Sequence, residues 1–214
     1  MVQSRWRIVL FGGLFLMPVL ALGQDGNEGN CEHCPKGTRP GTIRGQVDLA
    51  SARRFPTLVY IDEMTGHTFR PPEQHARMDQ KNKEFTPHVL PILVGTTVDV
   101  ANSDPLEHTA YSPDGEGYDL GKWGEGETRS YTFSRPGAYV QLCRLHPSMI
   151  AYVVVTGTPY HAFVDPEGRF EIRGICPGNW TLRVWNERLR PRQLEANFPI
   201  AVEGGEISEA TLKP

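Results

Sequence analysis

"GAYVQLCRLHPSMIAYVVV", residues 137–155, sets two runs of strand-forming residues on either side of a loop that carries a thiol, an imidazole and a thioether. Tyr139, Val140, Tyr152 and the valines after it favour extended backbone, and Pro147 with Ser148 marks a turn. Cys143, His146 and Met149 stand at every third position of that loop. A loop pinned between two strands can hold three such donors close together. What they do there depends on what the rest of the chain supplies.

The β pattern extends in both directions. "TIRGQVDL" from Thr42, "TLVYIDE" from Thr57, two runs within "EFTPHVLPILVGTTVDVANSD" with a turn at Gly95, and "ETRSYTF" from Glu127 all read as short strands. Beyond Thr158 follow "HAFVD", "RFEIRGI", "NWTLRVWNE", "NFPIAVEGG" and "ISEATLKP", separated by turn signals. No segment predicts a helix longer than two turns. The stretch "EQHARMDQKNKE" reads as one helical turn or a loop. The 22 glycines and 18 prolines among 214 residues suit many strands joined by turns. The expectation is an all-β chain, a Greek-key sandwich over 42–157 and a smaller β-sandwich over 158–214.

Residues 1–23 carry Arg5 and Arg7, an apolar run broken by Pro18, and "ALG" before Gln24, the pattern of a cleaved export signal. Residues 24–41 read as a flexible leader. The formal charge of −3 becomes −5 once the two arginines of the signal are removed. A mildly acidic, exported chain is a poor candidate for nucleic-acid binding. Its expected location is periplasmic or otherwise exported, an oxidising setting in which an isolated thiol such as Cys143 needs an explanation.

Cys143, His146 and Met149 lack one partner for a soft metal. His108, in "ANSDPLEHTAYS", supplies a second imidazole from another part of the sheet. Two histidines and a thiolate with a weak thioether form the blue-copper electron-transfer arrangement. Zinc is the competitor, but its structural sites take four Cys or His ligands and its catalytic sites three N, O or S ligands with water, and methionine suits neither. A chance meeting of a buried cysteine, a surface histidine and a core methionine is the bland alternative. The chain has seven histidines and no H-x-H pair of the kind a multicopper oxidase requires. No nucleophilic triad motif appears, and the reading is of no enzyme activity beyond electron transfer.

"YVQLCRLHPSMIAYVVV" resembles the ligand loop of cupredoxins, and C-x-x-H-x-x-M is similar to the short loop of amicyanin. Longer stretches, "MDQKNKEFTPHVLPILVGTTVDVANSD", "YDLGKW" and "TPYHAFVDPEGRFEIRGICPGNWTLRVWNE", resemble exported plastocyanin-like proteins labelled methylamine-utilisation proteins. In these a cupredoxin precedes a carboxypeptidase-regulatory-like β-domain. The resemblance covers residues 42–214. It implies one type 1 copper on His108, Cys143, His146 and Met149. It also implies single-electron transfer with a transient redox partner, a cytochrome c or a periplasmic dehydrogenase. Copper storage or delivery without redox turnover is the alternative. One position departs from the pattern. Thr109 follows the first histidine, where an asparagine often ties the two ligand loops together.

Other residues invite chemistry. "CEHC" reads as a local Cys31–Cys34 disulfide, or as a metal-capture arm using His33. Pro35 excludes a c-type haem site. Cys176 reads as a small buried hydrophobe, with pairing to Cys31 or Cys34 the lesser reading. Met64, His67, His75 and Met78 lie symmetrically about Pro71. A surface loop is expected there, a Cu(I) quartet being the alternative. His88 and His161 read as structural or solvated. Phe170, Trp180 and Trp185 are expected in the core of the second unit, whose own function the sequence leaves open.

Overall fold

The computed structural model describes Cys34 and residues 37–115 and 117–214. The expected signal, and Cys31 and His33 of the leader, lie outside the described residues. The first strands are β1 (Gly41–Val47), β2 (Leu58–Ile61), β3 (Ala76–Lys81), β4 (Glu84–Thr86), β5 (Val89–Leu93) and β6 (Thr97–Asn102). Next come β7 (His108–Ser112), β8 (Tyr118–Trp123), β9 (Thr128–Thr132), β10 (Gly137–Leu142) and β11 (Ile150–Thr156). A 3-10 turn (Ala50–Arg53) joins β1 to β2, and the chain ends with β12 (His161–Phe163), β13 (Arg169–Ile175), β14 (Gly178–Trp185), the short helix α1 (Pro191–Leu194), β15 (Phe198–Val202) and β16 (Ile207–Leu212). The protein is all-β.

Four sheets form two sandwiches. In the first, β5-β11-β10-β7-β8 faces β4-β3-β6-β9. Alternate residues point inward: Met78, Val98 and Val100 from one sheet meet Ala110, Tyr139 and Val153 from the other in one buried cluster. In the second, β13-β1-β16 faces β12-β2-β14-β15, with Ile43, Phe170 and Leu212 packed on Ile61, Leu182 and Val202. Leu58, Val89, Val154 and Trp185 form a small apolar seam between the two sandwiches. Phe170 and Trp180 fill the second core as expected, whereas Trp185 belongs to the seam.

The pairing differs from the expected cut at residue 157. β1 lies between β13 and β16, and β2 between β12 and β14. Residues 41–61 are therefore part of the second sandwich, and the first is inserted between β2 and β12. Strand periodicity reveals which face is apolar but not which strand is the neighbour, so this partnership is not written locally. Another difference is at "ARMDQKNKEFT". It is a β3–β4 hairpin, turning at Asn82 and Lys83, whose φ angles of 56° and 59° are the left-handed pair of a type I′ turn. Met78 and Gln80 are buried and the charged residues that alternate with them, Arg77, Asp79 and Lys81, are not, a strand alternation hidden by its high charge.

Cys34 is bonded to Cys176, 142 residues away. This replaces the expected Cys31–Cys34 bridge and the expected free, buried Cys176. Cys176 sits at the turn after β13, where the chain entering β1 passes close by. No helix among the described residues is long and apolar enough to cross a membrane.

Candidate metal centre

Three elements position the donors. His108 opens β7, Cys143 directly follows β10, and His146 lies on the loop to β11. β10 and β11 pair over their full length and Leu142 pairs with Tyr111 of β7, so the loop starts from a fixed corner. Pro147 and Ser148 make a turn in which the Met149 N–H donates to the His146 carbonyl at 2.9 Å. The chain curls back, and Met149 is buried in the same apolar cluster as Cys143. Leu145, Pro147 and Ser148 remain exposed, and His146 is half-buried.

The two imidazoles and the thiol converge. His108 Nδ1 and His146 Nδ1 are 3.0 Å apart, and Cys143 Sγ lies 3.9 Å from the first and 3.8 Å from the second. A point in the plane of these atoms is about 2.0 Å from both nitrogens and about 2.2 Å from the sulfur, the lengths of metal–imidazole and metal–thiolate bonds. This is the one such cluster of His, Cys, Asp or Glu donors among the described residues.

The tautomer of His108 follows from its other nitrogen. His108 Nε2 donates to Asp104 Oδ2 at 2.8 Å, and both side chains are buried. A carboxylate only accepts, so the ring proton sits on Nε2 and the Nδ1 lone pair faces the cluster. With that lone pair pointing at a second imidazole nitrogen, the arrangement suits a cation or a shared proton. The residues therefore fit a soft, low-coordinate metal.

Asp104 is itself held. It accepts the Asn82 and Lys83 N–H groups at 2.7 and 2.8 Å, so the β3–β4 turn grips the ligand's partner. Burial works to raise the Asp104 carboxyl, but the Lys83 N–H, the His108 ring and the Asn82 N–H hold it below the ordinary carboxylate range. Asn102 donates to the Leu106 and Trp123 carbonyls and accepts the Asp104 N–H, fixing the approach to His108. Neither Asp104 nor Asn102 was singled out from the sequence. The signal was present: Asp104 stands four residues before His108 in "DPLEH".

Thr109 performs the tie that its position suggested. Its N–H donates to Cys143 Sγ at 3.4 Å and its hydroxyl lies 3.7 Å from the same sulfur. That hydroxyl also accepts the Arg144 N–H at 2.7 Å, joining the two ligand loops. Burial works to raise the Cys143 thiol. The Thr109 N–H donated to the sulfur leads the effects that outweigh it and draw the thiol down to about 6. Outside, the Arg144 guanidinium lies 3.9 Å over the Tyr111 ring and pairs with Asp119 at 2.9 Å, clamping the residue next to Cys143.

The remaining candidates separate. Met64 is buried in the second core and Met78 in the first. His67 lies edge-on to Trp180, and His75 pairs with Asp99 at 2.9 Å. The quartet about Pro71 is not assembled, and the segment is not simply a surface loop either, since both methionines are core residues. His88 pairs with Glu187 across the seam at 3.0 Å. His161 lies in β12 opposite Tyr60.

No protein-family model and no curated protein matches the chain. Among solved structures, part of it is similar to a copper-containing nitrite reductase from Thermus scotoductus SA-01, at 31% identity and a TM-score of 0.37 over 44% of this chain. The match spans 25% of that reductase. A reduced amicyanin variant is similar at 24% identity and a TM-score of 0.37, over 39% of this chain and 84% of its own. A purple cupredoxin from Nitrosopumilus maritimus is similar at 26% identity and a TM-score of 0.35, over 38% of this chain and 99% of its own.

Proposed function

We propose that the protein is an exported type 1 copper protein of the cupredoxin kind that carries single electrons between periplasmic redox partners. The observation that carries this reading is the convergence of His108 Nδ1 from β7 with Cys143 Sγ and His146 Nδ1 from the β10–β11 loop, within 4.8 Å of one another, a loop that also buries Met149. Copper bound by these residues supplies a one-electron couple between Cu(II) and Cu(I).

The chain's own residues do the rest. Cys143 would enter as a thiolate, which the N–H and hydroxyl of Thr109 stabilise. Asp104 holds the His108 ring so that Nδ1 faces the cluster, where it would hold the metal. Met149 is assigned as the weak fourth ligand. The loop is pinned by the Thr109–Arg144 bond, the Arg144–Asp119 pair and the 146–149 turn, so its donors need little movement when charge changes. Half-buried His146, flanked by exposed Leu145 and Pro147, offers an edge with little charge for brief contact with a partner such as a cytochrome c or a periplasmic dehydrogenase. The Cys34–Cys176 bridge suits an oxidising compartment.

Electron self-exchange and reduction by a c-type cytochrome, measured on the copper-loaded protein, test the carrier role. Fast, reversible exchange is expected. Tight copper binding with no exchange would assign the protein to copper storage or delivery.

A further inference from the structure

The chain is acidic overall, at −3. Yet residues 49–57 and 186–194, "LASARRFPT" and "NERLRPRQL", hold five arginines and one acid. The fold sets these segments side by side. Asn186 donates to the Thr57 hydroxyl at 2.7 Å, and the Arg188 guanidinium lies 4.6 Å over the Phe55 ring. Arg53, Arg54, Arg188, Arg190 and Arg192 are all exposed. The one acid, Glu187, is half-buried and engaged with His88 at 3.0 Å, while its distance to Arg188 is 3.8 Å. Among the described residues, Arg53, Arg54, Arg190 and Arg192 make no ion pair. Five like charges with so little compensation repel one another, and a docked anionic surface relieves that repulsion.

This basic ledge adjoins the candidate metal centre. Arg188 lines a cleft together with Glu187, Glu84 and His88, and with Ser148, Met149 and Ile150 of the ligand loop. A body seated on the arginines is thereby brought against the loop that carries His146. Ile150 and Leu145, at 40% and 47% exposure, give that loop an apolar surface beside the charged one. A charged rim around an apolar contact is the division of labour of fast, transient protein pairs: the charges raise the encounter rate and fix the orientation, and the small apolar contact permits release.

We propose that the five arginines form a docking ledge for a protein redox partner that carries an acidic surface beside its own redox centre. The proposal names the chemistry of the partner and rests on the electron-carrier reading above. It also gives the second sandwich a function, since that sandwich supplies all five arginines.

The test uses the full chain, both copper-loaded and metal-free, and two probes, an acidic and a basic c-type cytochrome. Binding is measured by calorimetry and by amide chemical-shift changes at about 20 and about 200 mM salt. The acidic probe is expected to bind the metal-free protein, with affinity falling about tenfold across that salt range and shifts at residues 53–54, 148–150 and 188–192. Replacing Arg53, Arg54, Arg190 and Arg192 together by Glu should lower that affinity by about tenfold or more and favour the basic probe. The milder pair Arg53→Gln and Arg54→Gln, in an exposed turn, should give a smaller loss in the same direction with an unchanged unfolding midpoint. Equal binding of the acidic probe by wild type and both variants overturns the proposal. So does binding to phosphatidylglycerol vesicles, lost in the same variants, without binding to the acidic cytochrome, because the ledge then serves a membrane. Metal-free binding separates this idea from the copper reading, whose failure would show as absent colour and absent exchange with the docking intact.

Discussion

Asp104 and His108 face each other in the core, Oδ2 to Nε2 at 2.8 Å, and the β3–β4 turn donates two backbone N–H groups to the same carboxylate. A hairpin on one sheet thus orients a donor on the other. Replacing Asp104 by Asn keeps the shape and removes the charge. Copper affinity should fall about tenfold to a hundredfold, measured by competition with a chelator of known affinity. Asp104→Ala should in addition lower stability by about 1–2 kcal/mol, because the part-buried Asn82 and Lys83 N–H groups lose their acceptor. Unchanged affinity in Asp104→Asn would mean that the ring is oriented by packing alone.

Met149 is buried behind the turn that starts at His146. Met149→Gln replaces a soft thioether by a harder oxygen, which favours the oxidised metal. Copper should stay bound and the reduction potential should fall, as read by voltammetry. An unchanged potential would make Met149 a core residue without a role at the metal.

The Cys34–Cys176 bridge closes a loop between residues 142 apart in sequence. Cys34→Ala with Cys176→Ala should destabilise the second sandwich by about 2–5 kcal/mol in denaturant unfolding. The donors lie in the other sandwich, so metal binding at low denaturant should be unaffected.

Tyr60 lies against the seam between the sandwiches. Burial pushes its phenol up to about 12, and the nearby Asp62 adds to this, partly offset by Arg183. Its folded value is therefore above its unfolded value of 10.0. The stability it contributes is fully present below pH 10 and is lost as pH rises toward 12. Tyr60→Phe should flatten the fall in unfolding free energy over that alkaline range, measured by urea titration at stepped pH. An equal slope in both proteins would place the alkaline transition elsewhere.

Much of the candidate site was legible because its signals are local. Cys143, His146 and Met149 share one loop, and a strand and a soft-donor set both leave short patterns. His108 was legible by need, since the set lacked an imidazole. The supports were not. Asp104 acts through a contact with the ligand, and its own anchors, Asn82 and Lys83, come from a hairpin whose charged face hid its alternation. Cys34 and Cys176 illustrate a second limit: spacing suggested a bond within "CEHC", but connectivity depends on where the fold brings each thiol. For the same reason β1 and β2 were assigned to the first sandwich, although their partners follow more than a hundred residues later.

The central claim is that Cys143 binds copper as a thiolate together with His108 and His146. Its most direct test is the absorption spectrum of the protein during Cu(II) titration, alongside Cys143→Ser. The account predicts intense thiolate-to-copper charge-transfer colour that saturates at one equivalent and is absent from Cys143→Ser. A colourless wild-type protein with Cu(II) bound would contradict it.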